Sequence, residues 1–522
     1  MKNKDLILNF LLFALVFLCL VPFIDIPLFN EDYLVLHWNN PQTFTECLRD
    51  FWERTTGGPY WRPVVWSSYF ATKYFFGMNG LPYHLTNIVV YSGIISLAFA
   101  LYRQLGVNRN FAFFGLLCFA LLPARELNFA WVPGRTDLFA VFFTLVATIA
   151  YIHSPKNAFF KVVAATSFLL AILSKEIAYA GVAIPILLYY FVLKDKFSKK
   201  YIYISTTFSI LIVLISLIYR YFVIGGTPFE TSNYSDFSLI NLPFHFITYI
   251  PLAFFNADLL ENVYISITKL NFRVLIPIFI VFAYFVRNFF NLIKHRGPQQ
   301  KNFLFGIFWY ILFILPALPT LMQWYGFLAY IGLFLSILQI IDDNKFERIK
   351  IAVLLLITLF LVFYNFERAS LWKEVGNRTN SFLANLVQKI PPSADTIYVV
   401  AAPDKINRLN SMKIGFQEAV SYHLGRPLEV ISPIRSEISQ KSSIHYSLDN
   451  DNLKAKLNFG RFLIQGKRSS NRNYEEKLFF EDDYISCEIS NSSKQASNLD
   501  LFIKNKHKPI FLFAISEFIK IN

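Results

Sequence analysis

Long apolar stretches recur along the first two-thirds of the chain, and they limit its fold more than any other feature. Each approaches the roughly 20 residues that an α-helix needs to cross a bilayer, and we count about eleven of them. The sequence therefore predicts a multi-pass α-helical membrane domain over residues 1–368, followed by a second domain over residues 369–522. The predicted spans are residues 6–23, 85–102, 111–123, 138–152, 159–173, 177–193, 202–222, 274–290, 303–318, 325–341 and 351–366.

Composition agrees with lipid as the solvent of the first domain. The 522-residue chain is 55% hydrophobic and only 16% charged, with a mean hydropathy of +0.42. That is too apolar for an ordinary soluble protein. The net charge of +14 does not indicate a nucleic-acid partner, because much of the Lys and Arg lies in short segments between the apolar stretches.

The positions of Lys and Arg also predict the orientation, since positively charged flanks stay in the cytoplasm. Alternate loops carry them, for example at Arg103, Lys161, Lys199, Arg287 and Lys350. We therefore expect a cytoplasmic N-terminus, an uncleaved first helix and a C-terminal domain on the periplasmic or extracellular side, most simply in a bacterial inner membrane. Residues 25–83, 125–135, 174–176 and 223–273 then face the same outer side.

The tail after residue 369 is mixed polar and charged and contains no predicted span, so it predicts a soluble domain of ordinary size. Residues 396–401 and 428–431 are strand-like, and residues 415–424 between them have helical spacing. Residues 477–480 and 484–489 are further strand candidates. We therefore predict an extracytoplasmic α/β domain that becomes strand-rich toward its end.

Adjacent carboxylates, Glu31 and Asp32, follow the first helix at the predicted outer boundary of the membrane. A carboxylate there is able to act as a general base toward a hydroxyl group that lies within hydrogen-bond reach. A helix cap or a solvated acidic loop explains the same residues. The residues alone leave both interpretations open.

Two other outer links carry charge at membrane depth. Residues 123–137 are unusually polar for a short link, and an Arg at a membrane boundary suits a phosphate because its planar fork forms paired hydrogen bonds. Lys175 and Glu176 stand between two apolar helices with almost no loop. Ionisable residues at that depth are costly and are therefore candidates for function, although Lys–Glu or Arg–Asp pairs that only join helices remain an alternative.

Some chemistries are disfavoured by what the sequence lacks. No phosphate-binding loop, dinucleotide fingerprint, HExxH or GxSxG motif occurs in a suitable setting, and the four cysteines have no metal-ligand spacing. The cytoplasmic loops are too short for a nucleotide-binding domain. We therefore expect no cofactor, no metal and a donor that is carried by a lipid.

The ordered set of these motifs resembles the GT-C glycosyltransferase superfamily. The motifs are the acidic pair, then residues 61–63, 81–87, 131–138 and 173–177. The likeness is greatest to the protein O-mannosyltransferase branch, which includes the transmembrane-plus-tetratricopeptide enzymes. It covers residues 6–193 well and the later helices only by hydropathy. The tail lacks tetratricopeptide repeats, which leaves a protein, lipid or polysaccharide acceptor open.

The resemblance implies a GT-C-like fold and transfer of a sugar from a polyprenyl-phosphate carrier to an acceptor hydroxyl, with inversion. By motif, Asp32 corresponds to the catalytic acidic residue, with Glu31 as its neighbour. Three cations are then candidates to hold the departing phosphate, and two carboxylates would orient them. The cations are Arg135, Lys175 and Arg62, and the carboxylates are Asp137 and Glu176.

Other functions remain as alternatives. A transporter or flippase would bury ionisable groups near the membrane midplane and often show internal repeats, whereas these motifs gather at one face and no repeat is evident. A polymerase or ligase of surface polysaccharide would share the lipid carrier and differ in product length. A scaffold that uses its outer domain for binding leaves Lys175 and Glu176 unexplained.

Overall fold

The computed structural model describes most of the chain, and its contacts divide it into two compact units. The first unit is Met1–Ile24, Pro41–Gly77 and Leu81–Arg368, and the second is Asp25–Asn40, Met78–Gly80 and Ala369–Asn522. The described residues are 3–38, 43–53, 60–155, 157–194, 198–224, 239–256, 259–261, 283–284, 286–290, 292, 294, 297–341, 347–449, 451–459, 461–464, 476–493, 496–504, 508–514 and 518–521.

Helices make up the first unit. Seven helices within the described ranges are long and apolar enough to cross a membrane, or eight if one bent pair is counted as a span. The prediction of a multi-pass helical membrane protein is confirmed, while the count of eleven stays a prediction because most of the expected span 274–290 lies outside the described residues. Among the described residues of both units the α-helices are α1 (Asn3–Leu20), α2 (Glu31–Trp38), α3 (Phe44–Glu53), α4 (Pro63–Phe76), α5 (Gly80–Gln104), α6 (Arg109–Ala120), α7 (Glu126–Phe129), α8 (Arg135–His153), α9 (Ala158–Ile172), α10 (Ile184–Leu188), α11 (Lys199–Ile224), α12 (Leu242–Leu252), α13 (Pro298–Ile314), α14 (Phe327–Ile341), α15 (Glu347–Lys389) and α16 (Phe416–Leu424).

Several helices extend beyond the apolar stretches that predicted them. Helix α15 has 43 residues and continues well past residue 366, where the predicted span ends. Helix α5 begins at Gly80 and includes the buried polar side chains of His84 and Asn87. Hydropathy detects the part of a helix that contacts lipid, and it does not detect where helical hydrogen bonding stops.

The predicted span 111–123 ends in a sharp bend. Helix α6 is followed by a 3₁₀ turn at Pro123–Arg125 and then by α7, and the two parts meet at 61°. Pro123 lacks the backbone N–H that would continue the helix, so a break at this position is expected. Residues 123–134 therefore do not continue the axis of α6, and the next long helix, α8, begins at Arg135.

Small residues let α13 and α14 approach closely. A Cβ atom on Gly332 would lie 2.6 Å from the Gly306 carbonyl oxygen, so neither position has room for a larger side chain. The Ser336 hydroxyl donates to the Phe303 carbonyl across the same contact at 2.8 Å. Helices in lipid commonly pair in this way, because packing and hydrogen bonds replace the hydrophobic effect there.

Three β-sheets form from the parts of the second unit that the structure describes. The first has the order β13-β12-β1-β4, with β1 parallel to both β12 and β4; the second is antiparallel, with the order β6-β7-β11-β10-β9; and the third has the order β3-β2-β5-β8. The strands are β1 (Thr396–Val400), β2 (Ala402–Ile406), β3 (Leu409–Asn410), β4 (Glu429–Ile431), β5 (Ile434–Ile438), β6 (Ser443–Asp449), β7 (Asn452–Asn458), β8 (Arg461–Ile464), β9 (Glu476–Glu481), β10 (Ile485–Ser493), β11 (Ala496–Ile503), β12 (Ile510–Phe513) and β13 (Phe518–Lys520).

The strands and the helix that the sequence predicts for the tail are present in the structure. Strands β1, β4, β9 and β10 and helix α16 form at the expected positions, and the prediction of a C-terminal domain with β-sheets is confirmed. Apolar side chains of β1 and β12, such as Val399 and Phe511, are fully buried in its core. The unit also includes α2, which packs against α16.

Candidate active site

Lys175 and Asp137 form a buried ion pair in the first unit. Lys175 Nζ lies 2.6 Å from each carboxylate oxygen of Asp137, and the two side chains are 6% and 3% exposed. Asp137 stands in the first turn of α8, where the positive end of the helix dipole favours a carboxylate. Lys175 comes from the short turn after α9, so the pair joins two helices.

A second group of charges surrounds the Glu176 carboxylate. Arg62 Nη2 donates to Glu176 Oε2 at 2.8 Å, and Arg220 Nη1 donates to Glu176 Oε1. Arg62 immediately precedes α4, whereas Arg220 lies near the end of α11. Burial alone would lower the pKa of Arg62, but Glu176 more than offsets this effect and leaves the pKa above its ordinary value.

These two groups form one cluster. Arg62 and Glu176 lie close enough to Lys175 for their charges to act on it. We call Arg62, Asp137, Lys175, Glu176 and Arg220 the cationic cluster. Its three cations and two carboxylates leave one net positive charge. An arrangement of this kind suits an anion, because charge-assisted hydrogen bonds are strong where water is largely excluded.

Aromatic rings lie against the cations of the cationic cluster. Lys175 Nζ lies 4.0 Å from the centroid of the Tyr325 ring, and Arg62 Cζ lies 4.2 Å from that of Tyr60. The ring of Tyr219, next to Arg220 in the chain, packs against Trp61 with centroids 5.2 Å apart. Ring faces attract cations and exclude water, so they strengthen the electrostatic interactions of the cluster.

Arg135 forms a separate set of contacts. Its guanidinium is fully buried and donates to Asn87 Oδ1 at 3.0 Å, to the Tyr83 carbonyl at 3.0 Å and to Thr72 Oγ1 at 3.3 Å. It also donates to Ser68 and lies 4.7 Å from the centroid of a tyrosine ring in α4. This geometry joins α4, α5 and α8, which favours a bracing role over phosphate binding.

The turn before Arg135 is closely packed. Asn87 Nδ2 donates to the Trp131 and Val132 carbonyls at 3.0 and 3.3 Å, and the Tyr69 hydroxyl donates to Val132 at 2.9 Å. A Cβ atom on Gly134 would lie 2.7 Å from the carbonyl oxygen of Asn128, so glycine is required for this turn to close. The same side chains that bind Arg135 therefore also fix the start of α8.

Another buried ion pair lies in the bent segment of the first unit. Arg368 donates to both carboxylate oxygens of Glu126, at 2.7 and 2.8 Å. The Arg368 and Glu126 side chains are 16% and 4% exposed. The two parallel hydrogen bonds pair one guanidinium with one carboxylate. This pair has the same groups as the cationic cluster, but its net charge is zero.

Asp32 and Glu31 belong to the second unit and open α2. Asp32 is 2% exposed, and its Oδ2 accepts a hydrogen bond from the Phe29 backbone N–H at 3.1 Å. Both carboxylates lie in the first turn of the helix. The solvated acidic loop is therefore not what the structure shows for Asp32, whereas its position in the first turn agrees with a helix-terminal role. Its role as a base stays a prediction.

Sequence reasoning missed Arg220. It lies within the apolar stretch 202–222, which predicts a span, and hydropathy does not indicate which way its guanidinium faces. Arg220 is 3% exposed in α11, and a single Arg near the end of a span was the available signal. Within the described ranges, no group of three or more His, Cys, Asp or Glu side chains is arranged to hold a metal ion.

Comparisons with known proteins give a structural likeness only. No family model matches the sequence, and no curated protein matches it. Among solved structures, ArnT from Cupriavidus metallidurans bound to undecaprenyl phosphate is 14% identical, with a TM-score of 0.46, and the match covers 82% of this chain and 86% of that one. ArnT in the apo state is 13% identical over the same shares, with a TM-score of 0.48. At these identities the comparison concerns fold alone.

Proposed function

We propose that this protein is a membrane glycosyltransferase of the GT-C type that takes a sugar from a polyprenyl-phosphate carrier and delivers it to an acceptor hydroxyl. The observation that carries the proposal is the cationic cluster, in which three largely buried cations outnumber two carboxylates. A carrier monophosphate supplies the missing negative charge. The motif order that resembles the GT-C superfamily supports the same conclusion.

The reaction divides between a base and a phosphate site. The acceptor oxygen forms a bond to the anomeric carbon of the sugar while its proton passes to the Asp32 carboxylate. The bond between that carbon and the phosphate oxygen breaks, and the electron pair leaves with the polyprenyl phosphate. Attack opposite the leaving group inverts the configuration. Stabilising the charge that develops on the phosphate is expected to supply much of the rate.

The phosphate contacts are assigned to Lys175, Arg62 and Arg220. The Asp137 and Glu176 carboxylates hold the cations in place, since each accepts from the side chains it faces. Arg135 is also among the three cations that the resemblance implies, and phosphate binding by Arg135 stays a prediction that the contacts of its guanidinium do not favour. Arg220 takes that place in the proposal because it shares Glu176 with Arg62.

The finer assignments are proposals of the same kind. We propose a bacterial inner membrane with the reaction on the periplasmic side, as the distribution of Lys and Arg predicts. An O-mannosyltransferase-like activity follows from the resemblance alone. The acceptor is a protein, a lipid or a polysaccharide, and the reaction is proposed to need no metal. Addition of a chelator should accordingly leave sugar transfer unchanged.

The phosphate site is tested by binding of undecaprenyl phosphate to the purified protein in nanodiscs. Arg220→Gln removes one cation of the cationic cluster and should weaken binding by tenfold or more. Arg368→Gln is the matched control, because it breaks another buried Arg–carboxylate pair of the same unit without changing the cationic cluster. The control should bind undecaprenyl phosphate as the wild type does, provided that both variants fold.

Equal binding by wild type and Arg220→Gln would contradict the assignment. Equal loss in both variants would show that binding reports only damage to the fold. If the wild type moves a labelled lipid-linked sugar across a liposome membrane but transfers no sugar to membrane acceptors, the transporter alternative replaces the proposal. The three results are distinguishable because the first two compare binding by the variant and its control, and the third compares transport with transfer.

A further inference from the structure

Asp32 lies in the first turn of α2, and one side chain of α15 forms hydrogen bonds on both sides of this turn. Asn380 donates from Nδ2 to the Leu28 carbonyl oxygen at 3.1 Å, on the N-terminal side of the turn. On the other side of the turn, the Tyr33 hydroxyl lies 3.4 Å from Asn380 Oδ1. Both contacts lie within the second unit. Asn380 therefore spans the turn and bonds to the residues that flank Asp32.

Tyr33 also contacts α16. Its hydroxyl lies 3.1 Å from His423 Nε2, and its ring centroid lies 5.7 Å from those of Tyr422 and His423. Tyr33 is only 5% exposed. Burial, together with the nearby Asp32, raises the pKa of Tyr33, so its hydroxyl keeps its proton and remains a hydrogen-bond donor.

The backbone before α2 fits closely against the loop before α16. Asn30 adopts a left-handed conformation, with φ of +54°, and its Oδ1 accepts a hydrogen bond from the Ile414 N–H at 3.1 Å. A Cβ atom on Gly415 would lie 2.7 Å from the Asn30 carbonyl oxygen and 3.0 Å from the Leu34 nitrogen. The unusual backbone at Asn30 is thus matched by a glycine on the facing segment.

Aromatic packing completes these contacts. The Phe29 ring meets the Trp372 ring edge to face, with centroids 5.8 Å apart. A Cβ atom on Gly376 would lie 2.7 Å from Pro27 Cγ and 3.1 Å from Phe29 Cδ1, so glycine lets α15 approach the turn. Contacts of this number and variety hold a backbone segment in one conformation.

We propose that the C-terminal domain positions Asp32, with Asn380 as the central positioning residue and Tyr33 as its partner. This inference rests on the proposed function, since it concerns the base of that reaction. Helix α2 has eight residues, too few to be stable by itself in water, so its orientation depends on tertiary contacts. Those contacts come from α15, α16 and the loop between them, which gives the domain a role in orienting the proposed base.

The test uses Asn380→Asp in the full-length protein, with Asn385→Asp as its matched control. Asp keeps the size of Asn380 but replaces the Nδ2 donor with an oxygen that faces the Leu28 carbonyl oxygen. In the control, Oδ1 of Asn385 accepts from the Phe518 N–H at 2.9 Å, and a carboxylate accepts this bond equally well. Both variants add one negative charge to the same helix.

Three quantities are measured for each variant. Amide hydrogen exchange over residues 28–34 should rise in Asn380→Asp and stay at the wild-type level in Asn385→Asp. Turnover in sugar transfer from an undecaprenyl-phosphate sugar extract to membrane acceptors should fall by about tenfold to a hundredfold, since a displacement on the order of 1 Å is enough for such a loss. Affinity for undecaprenyl phosphate should remain unchanged, because the phosphate site is assigned elsewhere.

One outcome separates the two proposals. If Asn380→Asp exchanges faster but keeps its turnover, while Asp32→Asn is inactive, the positioning role is overturned and the proposed function stands. Unchanged exchange would overturn the anchoring itself. Full turnover by Asp32→Asn would remove the base from the mechanism, and the positioning role with it. Tyr33→Phe is the second variant. It removes the hydroxyl contacts to Asn380 and His423 and should reproduce a smaller part of the same loss of turnover.

Discussion

At the scale of single residues, Glu176 illustrates why buried charges come in groups. Its carboxylate faces two guanidinium groups, and the isolated burial of any one of these charges would cost several kcal/mol. Removing one member leaves the others without compensation. The stability of the first unit and the proposed binding of a phosphate therefore depend on the same few side chains.

Glu176→Gln should lower the free energy of unfolding by about 3–5 kcal/mol, because two cations lose their shared carboxylate. The measurement is thermal or denaturant unfolding of the purified protein in detergent. Glu53→Gln is the control, since Glu53 forms an exposed pair with Arg49 at 4.0 Å and such pairs contribute about 0–1 kcal/mol. Equal stability of the two variants would contradict the account of the cationic cluster.

Arg135→Lys distinguishes the bracing role from the phosphate role. A lysine keeps the charge but loses the fork that donates to Asn87, Tyr83 and Thr72, so the melting temperature should fall. Affinity of the folded protein for undecaprenyl phosphate should stay within about twofold of wild type. A loss of affinity with unchanged melting temperature would instead restore Arg135 as a phosphate ligand.

The sequence identified most charged residues of the site but not their partners. Lys175 and Glu176 are adjacent in the chain, which makes a pair between them a natural expectation, yet Lys175 pairs with Asp137 and Glu176 pairs with two arginines. Pairing depends on which helix faces each side chain, and one sequence does not contain that information. Arg220 was missed for the same reason.

At the scale of elements, the sequence predicts which segments are helical but not where each helix begins and ends. The apolar stretch 351–366 predicts a span, but α15 continues to Lys389 and carries Asn380, which is central to the proposed positioning of Asp32. Polar residues that continue a helix beyond the membrane leave no hydropathy signal. The short helix α2 was likewise invisible, because an eight-residue helix held by tertiary contacts has no strong pattern of its own.

Two glycines at the ends of α16 provide a matched pair of substitutions. Gly415 and Gly425 both have φ of +73°, so alanine is strained equally at each by its backbone conformation. Only at Gly415 would the new Cβ atom meet a neighbour, the Asn30 carbonyl oxygen, whereas nothing lies within 4 Å at Gly425. Gly415→Ala should therefore lower the melting temperature more than Gly425→Ala does. Equal losses would contradict the close approach of the two segments.

The stability of the second unit should depend on pH through His423. Partial desolvation lowers the pKa of His423 below its value of about 6.5 in the unfolded chain, so the unfolded chain binds the proton more tightly. Stability should rise as pH increases through the interval between the folded and unfolded values, and level off above it. Melting curves between pH 5 and 8 measure this slope, which His423→Gln should reduce. An unchanged slope in that variant would contradict the assignment.

At the scale of the whole molecule, orientation in the membrane remains a prediction from charge. A fluorescent protein fused to the N-terminus should fold and fluoresce, because that end is predicted to be cytoplasmic. Alkaline phosphatase fused to the C-terminus should be active, because the second unit is predicted to lie in the periplasm. The opposite pattern would place Asp32 and the C-terminal domain on the cytoplasmic side and exclude a periplasmic reaction.

The division into units was only partly visible in the sequence. The change of composition near residue 369 marks the start of the C-terminal domain, but Asp25–Asn40 also belongs to the second unit, and nothing in its composition indicates this. The assignment depends on contacts between segments more than 300 residues apart. Local sequence patterns contain no information on such distant contacts, so they do not assign the segment to a unit.

The proposed role of Asp32 as the base of sugar transfer requires its carboxylate for turnover, and a transfer assay tests this requirement. Sugar transfer from an undecaprenyl-phosphate sugar extract is compared in membranes that contain equal amounts of wild type, Asp32→Asn or Asp25→Asn. Asp25 is a largely exposed carboxylate of the same segment, so it serves as the control. Transfer should fall a hundredfold or more in Asp32→Asn alone, as expected for the loss of a general base. Equal transfer by all three proteins would contradict it.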